Sequence, residues 1–225
     1  MQHATHSAAG DGLQRRLEEA ARYALLRRLT PALRHHMVGA LQPLGMLAAM
    51  LERRSQSPAP DMPSIQKKSA DMSVLSREAT ATCVNLVSWI APKQADSITV
   101  AEGVAECLGV VETDLALRGF AATNETAQAL MPVPRSLMRG VFAAALLALT
   151  DAAGKPAEVV LQAEPLPGGA SLTLTLRPRN AESMGMGGPP YRALEWSDVE
   201  ALARAESASL EHSAGHARIR YGVPG

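Results

Sequence analysis

Residues 31–52, PALRHHMVGALQPLGMLAAMLE, place Leu33, Met37, Leu41, Leu44, Ala48 and Leu51 at successive spacings of 4, 4, 3, 4 and 3. That alternation draws one narrow apolar seam along a helix, as in a coiled coil, and a single seam needs a partner helix to cover it. The polar, proline-rich RRSQSPAPDMPS at 53–64 is long enough to turn the chain back on itself. Beyond it Ile65, Met72, Leu75, Ala79, Val84, Val87 and Ile90 supply a second seam of similar length. The two helices are expected to form an antiparallel hairpin. Two helices with one stripe each cannot enclose a core, so the economical solution is a homodimer in which two hairpins make a four-helix bundle.

Upstream, residues 12–29 interleave charges with Leu13, Leu17, Ala21 and Leu25, the pattern of an amphipathic helix. Thr30 followed by Pro31 reads as an N-cap with proline in the first turn, so a new helix or a kinked continuation begins there. Residues 12–29 either extend the bundle or fold back on it. Residues 1–11 read as a disordered leader, in which His3 and His6 are too isolated to suggest a metal site.

After APKQADS at 91–97 the character changes. A helix over VAEGVAECLGVVETDLALRG is followed by a short strand, FAATNE, and a helix, RSLMRGVFAAALLALTDAAG. Strands AEVVLQAE and GASLTLTLRP have period-two apolar positions and a turn at Pro165 to Gly169. The loop MGMGGPP precedes a helix, SDVEALARAESASLEH, and a last strand, ARIRYGV. The expected class is α+β: a helical hairpin over 12–92, then an α/β sandwich over 93–225 with helices on one side of a small sheet.

Composition narrows the function classes. The chain has 225 residues, of which 47% are hydrophobic and only 3% aromatic, enough for an aliphatic core. Its 22 basic and 22 acidic side chains cancel, leaving no global field to hold nucleic acid or an anionic membrane. GVFAAALLAL at 140–149 is about half the roughly 20 residues that cross a bilayer. The start lacks the basic and apolar regions of a signal peptide. Cys83 and Cys107 alone carry thiols, and both read as buried inside helices, which suits a reducing compartment. These features place the chain in the cytoplasm.

The adjacent His35 and His36 stand out in the first seam helix. At about 100° per residue, His35 lies about 160° from Met37 and points away from the hairpin, whereas His36 lies about 100° from it at the boundary. Such a pair most often comprises ordinary solvated side chains. Adjacency suits metal binding poorly, because ligands on one helical face want a spacing of three or four. Arg53, Arg54, Lys67 and Lys68 gather near the hairpin turn as a solvated helix end or a docking patch. Met184, Met186, Tyr191 and Trp196 form a partner surface or cover the sheet.

The order of parts resembles the dimerisation and ATP-binding domains of two-component histidine kinases. ALRHHMVGALQPL is similar to the kinase phosphoacceptor box, LRGFAATNE to the segment entering the ATP-binding sheet, and VPRSLMRGVFAAALLAL to the helix that carries paired asparagines in active kinases. Ala143 and Leu147 stand at the asparagine positions, and apolar side chains cannot coordinate Mg²⁺. RPRNAESMGMGG replaces the aspartate-glycine-glycine element that grips adenine, and GMGG at 185–188 lacks the strand-to-helix context of a phosphate cradle.

The resemblance is therefore to the dimeric histidine phosphotransferases, which kept the kinase shell without its ATP chemistry. It implies that His35 and His36 form the catalytic site, with His35 passing a phosphoryl group between the aspartates of response-regulator receiver domains. It implies no cofactor of the chain's own, since the receiver supplies Mg²⁺. His36 takes the place of the usual acid and offers no full negative charge to the imidazole. Gly39 stands where an asparagine or threonine positions water for dephosphorylation, which speaks against phosphatase activity. Two other functions remain open at this point: a non-catalytic dimeric scaffold or inhibitor that binds a kinase or receiver, and an active ATP-dependent histidine kinase.

Overall fold

The computed structural model describes residues 2–90, 96–179 and 191–222, with side chains from Gly10 onward. The chain divides into two compact units, residues 31–91 and residues 1–30 together with 92–225.

The first unit is the helical hairpin. Helix α1 runs Gln2–Ser55 and passes through both Pro31 and Pro43. It is therefore continuous across Pro31, where the sequence allowed a new start. It is also helical from Gln2, where the sequence predicts a leader, because a helix nucleated by residues 13–29 lengthens at little cost. Helix α2 runs Met62–Val87, and its N-cap Asp61 accepts the Ser64 amide while Pro63 occupies the first turn. Of residues 31–90 only Ala79, Leu86 and Trp89 are buried, among the described residues. Leu33, Met37, Leu44, Ala48 and Leu51 are half-buried, whereas Leu41 is exposed. The second seam differs from expectation at its end: Val84, Val87 and Ile90 are exposed. The stripe continues at seven-residue spacing from Ala79 to Leu86, and Val87 lies off it by roughly 100° and Val84 by roughly 150°.

The second unit is an α/β sandwich. It contains β1 (Ser97–Thr99), α3 (Val100–Leu117), β2 (Ala121–Asn124) and β3 (Pro132–Pro134). Next come α4 (Arg135–Leu137), a π-helical turn (Met138–Phe142) and α5 (Ala143–Asp151). The rest is β4 (Ala157–Leu166), β5 (Gly169–Pro178), α6 (Trp196–Ala205), β6 (Ser209–Ser213) and β7 (His216–Gly222). The main sheet has the order β2-β4-β5-β7-β6, parallel only at β2/β4, and β1 pairs with β3 in a separate two-stranded sheet.

Period two decides the faces of the sheet. Leu161, Leu174 and Ala217 stand side by side in register on the inner face, as do Leu172 and Ile219. All five are at most 1% exposed, under Val104, Leu115, Phe142, Leu146, Leu149 and Leu202 of the helical layer. Glu158, Gln162, Thr173 and Arg218 alternate onto the outer face. Gly103 lets α3 approach the π-helical turn, since a Cβ there would sit 2.6 Å from Cγ of Met138.

Two elements depart from the sequence prediction. The helix expected over 197–212 stops at Ala205, because Ser207 adopts a left-handed φ of 53° and the chain then pairs as β6 against β7. The short β1 and β3 escaped prediction, since three-residue strands leave no period to read.

Residues 13–30 belong with this second unit. Ala21, Ala24, Leu25, Arg28 and Leu29 are at most 4% exposed, whereas Leu13 and Leu17, of the same predicted stripe, stay exposed. Arg22 pairs with Glu206, Arg204 with Gln14, and the Arg27 guanidinium lies 5.2 Å from the Tyr191 ring centre. Residues 13–30 thus pack against the sandwich while remaining part of the continuous helix α1.

Candidate functional site

His35 sits in the middle turns of α1, exposed, and His36 beside it is half-buried. Their rings meet edge to face, with centroids 6.1 Å apart and planes at 72°. Both placements are those expected from helical phase. On the same helix Gly39 and Gly45 stand in open space, where an added Cβ would meet nothing within 4 Å. The approach to His35 from the C-terminal side therefore lacks bulk at Gly39, one turn away. An imidazole on a helix surface, free of overhanging side chains, can be reached in line by a phosphorylated carboxylate on another protein.

The basic residues near the hairpin turn are divided. Arg54 donates to Ser64 across the turn, while Arg53 and Lys67 project into solvent. Cys83, expected buried, is half-exposed.

In the sandwich, Ala143 and Leu147 are 0% and 1% exposed. The next residue on their stripe, Asp151, lies among cations: Arg118 Nη2 is 2.6 Å and Arg28 Nη2 3.3 Å from its Oδ1, while the Leu194 amide donates to Oδ2. Asp114 of α3 holds Arg28 through both terminal nitrogens and also pairs with Arg118. The positions that the resemblance assigns to magnesium and phosphate ligands are thus packed apolar atoms followed by a carboxylate already paired.

A hollow of about 520 Å³ at the C-terminal end of α5 is lined by Leu149, Leu176, Trp196 and His212, with no carboxylate in its wall among the described residues. Trp196 stacks on His212 at 4.4 Å between centroids, and Tyr191 is half-buried beneath Arg27. These two aromatics therefore pack within the sandwich; Met184, Met186 and the GMGG loop lie outside the described residues. Asp198 closes the N-terminus of α6. Burial raises its carboxyl, but the two bonds from Arg192 and the Glu195 amide outweigh it and hold the group below the usual carboxylate range.

Sequence reasoning missed the Arg28–Asp114–Arg118–Asp151 cluster. Its members are spread over 124 positions, and no local period links them. Among the described residues no group of three or more His, Cys, Asp or Glu is placed to hold a metal ion, and no helix is long and apolar enough to cross a membrane.

No protein-family model and no curated protein matches the chain. Solved structures do. The chain is similar to the histidine kinase AdeS of Acinetobacter baumannii, at 13% identity and a TM-score of 0.46, over 85% of this chain and 98% of that one. It is similar to a histidine kinase from Burkholderia phymatum, at 15% identity and a TM-score of 0.44, over 84% and 98%. A bacterial phosphotransferase matches at 12% identity and a TM-score of 0.38, over 87% and 94%.

Proposed function

We propose that the chain is a histidine phosphotransferase of a two-component relay. His35 accepts a phosphoryl group from the aspartate of one response-regulator receiver and passes it to another, without ATP. The observation that carries this reading is the presentation of His35: exposed on the outward face of a helical hairpin, with Gly39 leaving its C-terminal approach open. The phosphoacceptor-like run ALRHHMVGALQPL around it supports the same reading.

The step balances simply. A neutral imidazole nitrogen attacks phosphorus as the bond from phosphorus to the aspartyl oxygen breaks, the carboxylate leaves, and the ring's other nitrogen releases its proton to solvent. In return, the carboxylate of a second aspartate attacks phosphorus, the nitrogen–phosphorus bond breaks, and the ring takes a proton back from solvent to leave as neutral imidazole. Charge on the phosphoryl oxygens is neutralised by the divalent ion that the receiver holds, so the chain itself supplies position rather than metal. The apolar Ala143 and Leu147, and the prior commitment of Asp151 to Arg28 and Arg118, support a sandwich that carries no nucleotide chemistry. The scantily buried hairpin supports a homodimer as the working form.

The test is a chase. Protein labelled from one phosphorylated receiver and then freed of it should deliver its label to a second receiver without added nucleotide. Label that stays on the first receiver, or that requires ATP, would contradict this function. One observation favours a second reading, a non-catalytic scaffold that binds a kinase or receiver: His36 replaces the acid that would accept the proton from His35. A scaffold would bind receivers in the same assay and never carry label.

A further inference from the structure

The hollow beside Trp196 and His212 does not stand alone. A second hollow of about 550 Å³, with Lys155 and Arg179 in its wall, shares Ala153 and Leu176 with it. Each has the size of a small-molecule pocket. The pair is built from the C-terminal ends of α5 and β5, the loop that enters β4, and the β6/β7 turn.

This is not the place that the kinase resemblance assigns to nucleotide. At about 100° per residue, Leu149 and the C-cap Ala152 lie roughly 160° and 140° around α5 from Leu147. The hollows are therefore on the far side of that helix from the stripe of Ala143, Leu147 and Asp151.

The two walls favour different chemistry. In the first, the Trp196 and His212 rings lie parallel, 4.4 Å between centroids with planes at 8°, beside Leu149 and Leu176. Ring faces and aliphatic carbon favour a flat apolar group. In the second, Lys155 and Arg179 are exposed cations that no carboxylate pairs among the described residues. At the junction, Leu176 continues the inner face of β5 beyond Leu172 and Leu174. It is half-buried where they are at most 1% exposed, so the core is open to solvent there.

We propose that the two hollows form one binding site for a small aryl anion. A flat aromatic ring covers Leu176 and the Trp196 wall, and a carboxylate, sulfonate or phosphate on that ring meets Lys155 and Arg179. The charge complementarity and the uncovered Leu176 select this class over a purely apolar or a purely anionic ligand. The site does not depend on phosphotransfer by His35.

The experiment uses the full chain carrying Trp89→Phe, which leaves Trp196 as its only tryptophan and as a reporter in the wall of the site. The probes are anilinonaphthalene sulfonate and phenylnaphthylamine, which has the same rings without the anion. The sulfonate should quench Trp196 saturably, at one molecule per chain. Lys155→Glu with Arg179→Glu should weaken it by roughly 10-fold, the loss of two surface-strength ion pairs, and leave phenylnaphthylamine unchanged. Added salt should weaken the sulfonate alone. Ala153→Phe, which fills the wall that both hollows share, should remove both probes. Sulfonate binding that is absent, unsaturable or unchanged in the glutamate variant would overturn the site, as would an equal loss of both probes. Persistence of both probes in a folded Ala153→Phe protein would do the same. If Ala153→Phe shows no unfolding transition, the two glutamate substitutions, at exposed positions, decide alone.

Discussion

Arg28 and Asp151 form an ion pair at 3.3 Å in which each side chain is 1% exposed. It ties the amino-terminal arm of α1 to the end of α5, and it explains why residues 13–30 belong to the sandwich. A charge removed from water is tolerated only while it is paired, so deleting one partner leaves the other stranded. Asp151→Asn, which weakens the hold on both Arg28 and Arg118, should lower unfolding free energy by about 3 kcal/mol. Urea denaturation read by circular dichroism measures it. A loss below about 1 kcal/mol, the value of a surface pair, would show that the cluster does not hold the arm.

The pH dependence has a specific source in Tyr221. Its ring is buried near the end of β7 and its hydroxyl donates to the Pro132 carbonyl at 3.2 Å. Burial pushes the phenol up to about 12. The folded state therefore prefers the neutral ring, and the unfolded chain ionises first, near pH 10. Stability from this group is intact below pH 10 and is lost as pH rises to about 12. Tyr221→Phe should flatten that fall when urea midpoints at pH 9 and pH 11.5 are compared with the parent protein. An identical fall in both proteins would assign it to other groups.

The hairpin should not be a monomer. Val38, Leu41, Val74 and Val84 are each at least 45% exposed, which is costly for a helix pair with so few buried residues. Sedimentation velocity should give twice the chain mass, and Leu41→Lys should shift the population toward single chains. A wild-type monomer at micromolar concentration would refute the bundle.

Thiol chemistry separates the two cysteines. Cys107 is fully buried beside Met138, donates to its carbonyl, and is pushed far above the ordinary thiol range first by burial and then by the Glu106 carboxylate. It should stay unreactive toward a disulfide reagent until the protein unfolds. Cys107→Ala should remove the group released by denaturant; rapid modification of Cys107 in the native protein would contradict this packing.

The sequence made the regular parts of the fold legible and the irregular parts not. Leu33 to Leu51 and the alternation in β4 and β5 follow single periods, so hairpin and sheet could be derived from them. The outward phase of His35 followed from its distance to Met37 along one helix. Ser207 was opaque, because a left-handed serine carries no signal that separates it from a helical one. The packing of residues 13–30 against the sandwich was opaque for another reason. Their stripe fits a bundle or a sandwich equally, and Arg28 meets Asp114 and Asp151 only once tertiary structure exists.

The most direct test of phosphotransfer by this chain is the location of the label. After incubation with a phosphorylated receiver and no nucleotide, acid-labile phosphate should appear on the wild-type protein and on His36→Ala, and be absent from His35→Ala. Label retained in His35→Ala, or its absence from a folded wild-type dimer that binds the receiver, would contradict His35 as the phosphoryl carrier.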